Sequence, residues 1–446
     1  MKKALLSIST LIISSGLVAQ TDPAITSWLQ NNTIKGSHYV SGNSTVIDDD
    51  VLANVQQVQF SANFVYVSTN GIPAYPTGPF LDGNPSLATE QNAIYKIPLS
   101  PTQNTGTPTN TTAGTIAIFI NGVSLYDYRD GVSYSLTASA DQGGPTGGSG
   151  DGVWNRDAIP AEMDGFDCSK GHPAMGDYHH HQNPSAFKLD KTVVSTICNM
   201  YDAEGLYTIN ASAHSPLIGF AYDGFPIYGA YGYDNTDGTG GIVRIKSSYK
   251  LRNITVRTEY ADGTDVTDGP AVGTNFPLGH YREDYEYNAT NGHLDEHNGR
   301  FCVTPEYPNG IYAYFCTVDE NWNSAYPYAV GPTFYGNYAD RSVSSVSETV
   351  EPYYATSISE VQSSVLDFSV FPNPANDFIA VQVNGLVKNT IQLELISMKG
   401  DVVRSSEIAQ GTTIWYLDTK TLYNGHYVLR VIDQESVTTQ KVVLSK

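Results

Sequence analysis

Short runs of alternating apolar and polar residues make up most of the chain after its first twenty residues. The clearest runs, 55–67 and 115–121, have the two-residue period of a half-buried strand, and turn signals such as Asn70-Gly71 follow them. Segments with the period of an amphipathic helix are scarce. The pattern therefore predicts a mainly β fold, with a β-sandwich-like main domain followed by a small Ig-like β-sandwich.

The first twenty residues have the order of a secretory signal peptide. Lys2 and Lys3 precede a mostly apolar stretch over residues 5–17, and Ala19 offers a small residue near a cleavage point. This stretch is too short and too rich in serine for a transmembrane span, which needs about 20 apolar residues. We therefore predict that residues 1–20 are removed, that no transmembrane segment remains, and that the protein is secreted or held at the outer surface.

The same patterning divides the mature chain into segments. Residues 21–340 form the predicted main domain, whose first part, 21–135, is a candidate N-terminal β-subdomain. Residues 341–366 are rich in Ser, Val and Glu with little periodicity, which is typical of a linker. Residues 367–446 contain several short strand patterns and form a predicted terminal module.

Composition supports the β prediction and limits the partners. The chain has 31 Tyr and 40 Gly, residue types that favour strands and turns respectively. Its net charge is −21, and the acidic residues are spread along the chain. Such a surface repels nucleic acid and attracts cations, so we predict no nucleic-acid partner.

Four cysteines lie in the middle of the chain, and an even count in an exported protein favours disulfides. Cys302 and Cys316 flank what looks like a hairpin around a Pro-Asn-Gly turn, so we predict that they form one bridge. Cys168 and Cys198 would then form the other. A zinc site made of these cysteines is disfavoured because no C-x-x-C pair is present.

The residues with the most reactive side chains cluster between 167 and 184. In an extended strand His179 and His181 project from one face and His180 from the other. A Pro-Ala-Met-Gly turn would return His172 to the first face. Imidazole ligands suit zinc or copper better than calcium. We therefore predict that His172, His179 and His181 bind one transition-metal ion, with His180 pointing away. The alternative is a histidine-rich strand that makes only structural hydrogen bonds.

The remaining ligand candidates are weaker. Glu162, Asp167, His297 or water is expected to supply a fourth ligand. The Asp-rich segments 234–240 and 262–269 have a calcium-like composition, but neither matches the spacing of a calcium loop. Calcium is therefore only a weak second candidate for the bound metal.

Catalysis is not resolved by the sequence. Asp223 stands at a turn between aromatic runs, and Asp295 and Glu296 form an acidic pair; these three residues are weak candidates for general acid–base chemistry. Three functions stay open: a metal-binding extracellular protein, a metal-dependent extracellular hydrolase, and a non-catalytic module that binds glycans or a surface partner.

The terminal module resembles the sorting domain of type IX secretion. It begins with a Pro-Asn-Pro motif, continues with a Gly-x-Val-Val motif and a Leu-x-x-Gly-x-Tyr-x-Leu-x-Val strand, and closes on Thr-x-Lys-x-Val. The resemblance implies a small β-sandwich that the type IX secretion machinery recognises through residues 367–446. A generic Ig-like adhesion module is the alternative. Such a domain gives the protein's destination and says nothing of its chemistry.

Motifs across the main domain resemble the YHYH-domain family, named for a Tyr-His-Tyr-His motif. The resemblance covers about residues 28–335, and its strongest motifs are Trp-Asn-Arg-Asp-Ala at 154–158, Asp-Tyr-His-His-His at 177–181 and Tyr-Pro-Tyr-Ala-Val-Gly-Pro at 326–332. Two departures stand out: His180 replaces the second Tyr of the motif, and His297 stands where many relatives are expected to have Cys. His180 is predicted to lie on the opposite strand face, so the metal face is intact. The family is essentially of unassigned biochemical function, and the resemblance therefore implies no reaction.

Overall fold

The computed structural model describes residues 22–80, 86–144, 148–184, 210–338, 342–354, 368–383, 390–397, 401–409, 411–433 and 436–446. The chain divides into two compact units, Met1–Ala355 and Thr356–Lys446. Strands dominate the described part of both units, which confirms the mainly β prediction. The predicted signal peptide lies outside the described residues, and its removal stays a prediction.

The first unit contains many short strands and few helical turns among its described residues. Its α-helices are α1 (Pro23–Thr26) and α2 (Ala158–Glu162), and 3-10 turns span Met163–Gly165 and Arg282–Asp284. Its strands are β1 (Lys35–His38), β2 (Ile47–Leu52), β3 (Val55–Phe60), β4 (Phe64–Thr69), β5 (Ala93–Pro98), β6 (Thr109–Asn110), β7 (Thr115–Phe119), β8 (Ser124–Tyr126), β9 (Arg129–Ser135), β10 (Ala140–Gly143), β11 (Asn155–Asp157), β12 (Gly171–Ala174), β13 (Asp177–His180), β14 (Leu217–Ala221), β15 (Pro226–Tyr228), β16 (Tyr231–Tyr233), β17 (Ile242–Arg244), β18 (Tyr249–Leu251), β19 (Tyr285–Tyr287), β20 (Gly299–Cys302), β21 (Ile311–Phe315), β22 (Thr333–Phe334), β23 (Ser342–Val343) and β24 (Glu351–Tyr353).

Two sheets provide the core of this unit. A five-stranded sheet has the order β23-β5-β4-β3-β24, and an eight-stranded sheet has the order β12-β13-β8-β7-β14-β15-β21-β20. Val58 and Val67 of the first sheet and Ile118 and Phe220 of the second belong to the same buried apolar cluster. Burial of such side chains between sheets is the main stabilising contribution in this architecture. The remaining strands form two- and three-stranded ribbons around it.

This sheet order corrects two predicted boundaries. Strands β7 and β8 belong to the eight-stranded sheet, so residues 21–135 do not form a separate subdomain. Strand β23 pairs with β5 and β24 with β3, so part of the predicted linker belongs to the first unit. These edge strands show no apolar periodicity because Ser342, Glu351 and Pro352 are exposed and the pairing is through the backbone.

The predicted β20–β21 hairpin is present, but it does not bring the two cysteines together. Cys302 is paired with Ile311 at one end of the hairpin, and Cys316 follows the last residue of β21 at the other end. Both are buried free thiols. The predicted Cys302–Cys316 bridge is therefore wrong, because a disulfide needs Cα atoms within about 7 Å. The predicted partner of Cys168, Cys198, lies outside the described residues, and that pairing stays a prediction.

The second unit is a small β-sandwich. Its strands are β25 (Phe368–Phe371), β26 (Phe378–Val383), β27 (Ile391–Ser397), β28 (Val402–Ile408), β29 (Ile414–Asp418), β30 (Gly425–Asp433) and β31 (Ser436–Leu444). They form one sheet of order β25-β26-β29 and another of order β28-β27-β30-β31. Alternate residues of β27, Ile391, Leu393 and Leu395, pack with Ile379 and Leu417 from the other sheet.

Candidate metal centre

A tight hairpin at the edge of the eight-stranded sheet carries the histidine cluster. Strands β12 and β13 are antiparallel, with His172 directly opposite His179. The turn between them contains Met175 and Gly176, whose φ angles are 50° and 93°. Positive φ at both central residues is the requirement of the two-residue hairpin turn that suits twisted strands. The local sequence thus places His172 beside the strand that carries the other histidines, as predicted.

Three imidazoles of this hairpin converge. The Nε2 atom of His181 lies 3.1 Å from Nε2 of His179 and 3.4 Å from Nε2 of His172. All three residues are buried. Among the described residues, these three histidines form a group whose nitrogen atoms are close enough together to hold one metal ion. The predicted convergence of His172, His179 and His181 is therefore present in the structure.

Two of the three rings are held by hydrogen bonds from Nδ1, the ring nitrogen that does not face the cluster. The Nδ1 atom of His179 donates to the carbonyl of Asp177 at 2.8 Å, and Nδ1 of His181 donates to the carbonyl of Asp127 at 2.7 Å. A carbonyl can only accept, so each Nδ1 carries a proton, and the Nε2 atom of each ring points into the cluster. Anchoring of the second ring nitrogen in this way is typical of metal-binding histidines.

Aromatic packing orients the same rings. Tyr126 stacks on His179 with ring centroids 3.8 Å apart, and its hydroxyl donates to the carboxylate of Asp177 at 2.7 Å. Phe166 contacts His172 edge-on at 4.9 Å between centroids. These contacts restrict ring rotation, so the nitrogens stay aimed at a common point.

Glu162 completes the cluster. It is the last residue of α2, whose N-terminus is capped by the side chain of Asp157. Its Oε2 atom lies 3.3 Å from Nε2 of both His172 and His181. That oxygen is buried, and within the described part of the chain it accepts no well-formed hydrogen bond. Of the predicted fourth ligands, Glu162 is the one whose carboxylate lies beside the imidazoles in the described structure.

The charges of the cluster are coupled. Burial opposes ionisation of Glu162, but the imidazoles of His172 and His181 outweigh it and lower the pKa of the carboxyl. Burial also opposes charge on His181, where the Glu162 carboxylate prevails and raises the pKa of the ring. Burial and the two neighbouring imidazoles hold the pKa of His179 well below its usual range. The carboxylate is thus charged and His179 is neutral, as a ligand must be.

The donor set and its spacing fit a transition metal. Two nitrogens bound at about 2.05 Å to a tetrahedral metal lie about 3.3 Å apart. The Nε2 separations of 3.1 Å and 3.4 Å in the cluster match this value. Three imidazoles and one carboxylate are the ligands of zinc and copper sites, whereas calcium takes oxygen ligands.

On the opposite face of β13, the histidine has a hydrogen-bond partner at each ring nitrogen. His180 is fully buried between Phe119 and Tyr178. Its Nε2 is 3.0 Å from the hydroxyl of Tyr75, and its Nδ1 is 3.0 Å from the carbonyl of Lys170. Both ring nitrogens are occupied, so His180 has a structural role and points away from the cluster, as predicted.

Two other predicted ligands lie elsewhere. Asp167 accepts hydrogen bonds from the Tyr178 hydroxyl at 2.8 Å and from three backbone amides, and it supports the His180 face. His297 bonds Thr333 at 2.6 Å and packs against Tyr335. Among the described residues, the group with metal-ligand spacing contains neither of them, and Glu162 lies outside that group too. Sequence proximity suggested Asp167, but its position before the hairpin directs it to the other face.

The weak catalytic candidates are held by structural hydrogen bonds. Asp223 accepts from the Tyr314 hydroxyl at 2.7 Å, and Asp295 accepts from the Tyr312 hydroxyl at 2.9 Å. Tyr312 and Tyr314 share one face of β21, so the two acids lie on the same side of the sheet. Glu296 is 58% exposed. None of the three acids has a contact with the histidine cluster in the described structure.

The two calcium-like segments are ordinary turns. The carboxylate of Asp237 accepts from the amide of Thr239 at 3.0 Å, and that of Asp262 accepts from the amide of Thr264 at 2.9 Å. Each carboxylate therefore caps its own turn, as short polar side chains commonly do.

Sequence reasoning missed Tyr126, the Asp127 carbonyl and Phe166. The first two lie at the end of β8, some fifty positions before the histidines, and reach them through the parallel pairing of His179 with Ser124. No local motif marks this pairing, because a parallel contact between distant segments leaves no periodic signal. The run of Tyr and Asp at 126–128 was visible in the sequence but had no predicted partner.

Comparisons with known proteins agree with the two-part organisation. A family model described as YHYH protein matches residues 94–327, just over half of the chain and the part that contains the histidine cluster. A family model described as secretion system C-terminal sorting domain matches residues 369–445. No curated protein matches the chain significantly. No helix among the described residues is long and apolar enough to span a membrane.

Proposed function

The chain belongs to the YHYH protein family, and we propose that it binds one transition-metal ion through His172, His179 and His181. The observation that carries this proposal is the convergence of three Nε2 atoms, two of which belong to rings whose Nδ1 atoms donate to carbonyls. Without a cation or a proton between them, the lone pairs of these nitrogens repel one another in a buried site. A metal ion removes this repulsion.

Copper or zinc is the proposed metal. All three protein nitrogens are imidazoles, and Glu162 offers one carboxylate oxygen at 3.3 Å from two of them. This donor set suits both metals and excludes the oxygen cage that calcium requires. A carrier or redox protein would use copper, whereas zinc would supply Lewis-acid chemistry when bound.

A metal-dependent hydrolase is the second candidate, and Glu162 favours it. Its buried Oε2 atom faces the cluster without a well-formed hydrogen bond among the described residues. A carboxylate in that position can accept a proton from a reacting group next to the histidines. The lowered pKa of Glu162 keeps this carboxylate ionised at neutral pH, which leaves the oxygen unprotonated, and it also makes the carboxylate a weak base.

We further propose where the protein acts. Residues 369–445 are a sorting domain, which implies handling by the type IX secretion machinery and export to the outer surface or the medium. The finer proposal is that the mature protein begins near Gln20, loses the terminal module after export, and keeps a Cys168–Cys198 disulfide. Intact mass of the protein recovered from the medium tests the ends, and a mass that includes both would contradict it. Peptide mapping without reduction tests the disulfide.

Metal content tests the proposed function. The purified protein is stripped with a chelator, loaded separately with zinc and copper, desalted, and analysed by mass spectrometry of the elements. We expect one ion per chain in the wild type and almost none when His172, His179 and His181 are all changed to Ala. Circular dichroism checks that the triple variant is folded. If the folded variant keeps as much metal as the wild type, the histidines are structural and the proposal fails.

A further inference from the structure

A second cleft in the first unit has its own chemistry. Its volume is about 530 Å³, within the usual range of small-molecule sites. Five tyrosines line it, and among the described lining residues the only aliphatic side chains are those of Ala261 and Pro332. None of the three histidines of the metal centre lines it. A lining of aromatic rings and polar groups differs from the aliphatic enclosure that a wholly apolar ligand needs.

One wall of the cleft consists of ordered aromatic rings. Tyr249 and Tyr287 are directly paired between β18 and β19, with ring centroids 5.6 Å apart. Tyr285 projects from the same face as Tyr287 and stacks on Tyr326 at 4.1 Å with parallel planes. Paired strands and stacked rings give a wall whose shape exists before a ligand arrives. Rings with polar hydroxyl tips suit a ligand that has both C–H surface and hydroxyl groups.

A cation without a full set of partners stands beside this wall. The Nε atom of Arg282 lies 3.2 Å from Oε1 of Glu283, and the side chain is only 16% exposed. Within the part of the chain that the structure describes, no hydrogen bond involves its terminal nitrogens. A guanidinium withdrawn from water with free donors favours a carboxylate or another oxyanion, which it can bind through two parallel hydrogen bonds.

The other charged groups of the lining differ from Arg282 in their partners or in their exposure. Arg129 donates its Nε to Asp127 at 2.6 Å, which neutralises it. Glu283 is already bonded by the backbone and side-chain amides of Asn155, at 2.7 Å and 2.9 Å. Asp262 is exposed, so water screens its charge. Arg282 pairs with Glu283 through Nε alone, so its terminal nitrogens are the cationic donors of the described lining that remain for a ligand anion.

We propose that this cleft binds a uronic acid, a sugar ring that carries a carboxylate, with Arg282 on the carboxylate and the tyrosine wall against the ring. Asn110, Asn155 and Thr333 also line the cleft and supply polar groups for the sugar hydroxyls. A neutral sugar lacks the anion, and a simple organic acid lacks the ring. The site is separate from the metal centre and does not depend on the proposed metal function.

Calorimetric titration of the full chain with D-galacturonate, trigalacturonate, D-galactose and acetate tests this proposal. We expect galacturonate to bind at least tenfold more tightly than galactose or acetate. Tighter binding of trigalacturonate would identify a polymer as the source of the acid, and equal binding would identify the single sugar. Equal affinity for galacturonate and galactose, or for galacturonate and acetate, would overturn the assignment.

Variants locate the binding groups. Arg282→Gln is expected to abolish the preference for galacturonate over galactose. Tyr287→Ala is expected to weaken the binding of both sugars about tenfold. Tyr287 is 37% exposed, so Tyr287→Ala should leave the fold intact. This variant therefore still tests the cleft if Arg282→Gln does not fold. Lys35→Gln removes one exposed cation outside the cleft and should change nothing.

Titrations with and without zinc should agree. Loss of sugar binding on metal removal would place the ligand at the histidines and would refute binding in the cleft.

Discussion

The two faces of the β12–β13 hairpin carry histidines in opposite bonding states. His172, His179 and His181 direct their Nε2 atoms at one another, whereas His180 has both nitrogens occupied by Tyr75 and the Lys170 carbonyl. All four histidines are less than 10% exposed, so burial does not distinguish them. The difference lies in Nε2, which faces other imidazoles in the cluster but the Tyr75 hydroxyl in His180.

The acids of the two faces differ in the same way. Burial raises the pKa of Asp167 on the His180 face to about 6, and its hydrogen bonds to Tyr178 and backbone amides only moderate this effect. At Glu162, burial is outweighed by the imidazoles, which lower the pKa. At neutral pH the ionised form of Asp167 therefore lowers the stability of the fold, whereas Glu162 is an ionised partner for cations.

Single substitutions on the two faces should give the largest contrast. His179→Ala removes one of three nitrogen ligands, and we expect the affinity for zinc to fall about 1000-fold, or about 4 kcal/mol. His180→Ala should change it less than threefold. Competition with a fluorescent zinc chelator measures both variants. Comparable losses in the two would show that the faces do not differ in function.

Stability should respond in the reverse order. His180→Ala leaves a cavity beside Phe119 and removes partners from Tyr75 and the Lys170 carbonyl, so we expect a loss of about 3–4 kcal/mol in the free energy of unfolding. In metal-free protein His179→Ala should cost less than half of that, because it also relieves crowding of the lone pairs. Urea unfolding followed by circular dichroism gives both values. A larger loss for His179→Ala would reverse the assignment of the structural face.

The pH dependence of stability reports on Asp167. Its pKa is about 6 in the folded protein against an ordinary value of 3.8, so between these values only the folded protein holds the proton. Its contribution to stability is complete below about pH 4 and is lost as the pH rises through 6, by about 3 kcal/mol in all. Asp167→Asn should flatten the decline between pH 4 and 7 by that amount. Urea unfolding in chelator measures it, and an unchanged slope would refute the shift.

The smallest expected effect concerns the support of a ligand ring. Tyr126→Leu removes the ring stacked on His179, and we expect about tenfold weaker zinc binding, or about 1.4 kcal/mol. Tyr126→Phe keeps the ring and loses only the hydrogen bond to Asp177, so it should lose no more than threefold. Equal losses in the two variants would assign the effect to the hydroxyl instead of the stacking.

The local part of the histidine cluster could be predicted from the sequence. Alternation along β13 places His179 and His181 on one face and His180 on the other, and the Met175-Gly176 turn returns His172. These features depend only on neighbours within ten residues. The choice between Glu162, Asp167 and His297 depended on the path of the chain outside the hairpin, and the sequence left it open.

The disulfide prediction failed for a related reason. A hairpin around the Pro-Asn-Gly turn was correctly predicted, but its register was not, and the register places Cys302 opposite Ile311 at the far end from Cys316. Register depends on which side chains meet the rest of the core, and a strand pattern alone does not specify that. The same limit applies to β23 and β24, which join the sheet through backbone hydrogen bonds.

The sequence by itself determined the strand-rich fold class, the two-part organisation and the face of β13 that each histidine occupies, because these follow from local periodicity and ordered motifs. Only the tertiary structure decided that Glu162 faces the imidazoles, that the Asp127 carbonyl anchors His181, and that Tyr126 stacks on His179. Those contacts join segments far apart in the chain. Their geometry depends on how the sheets pack, and that packing is a property of the whole core.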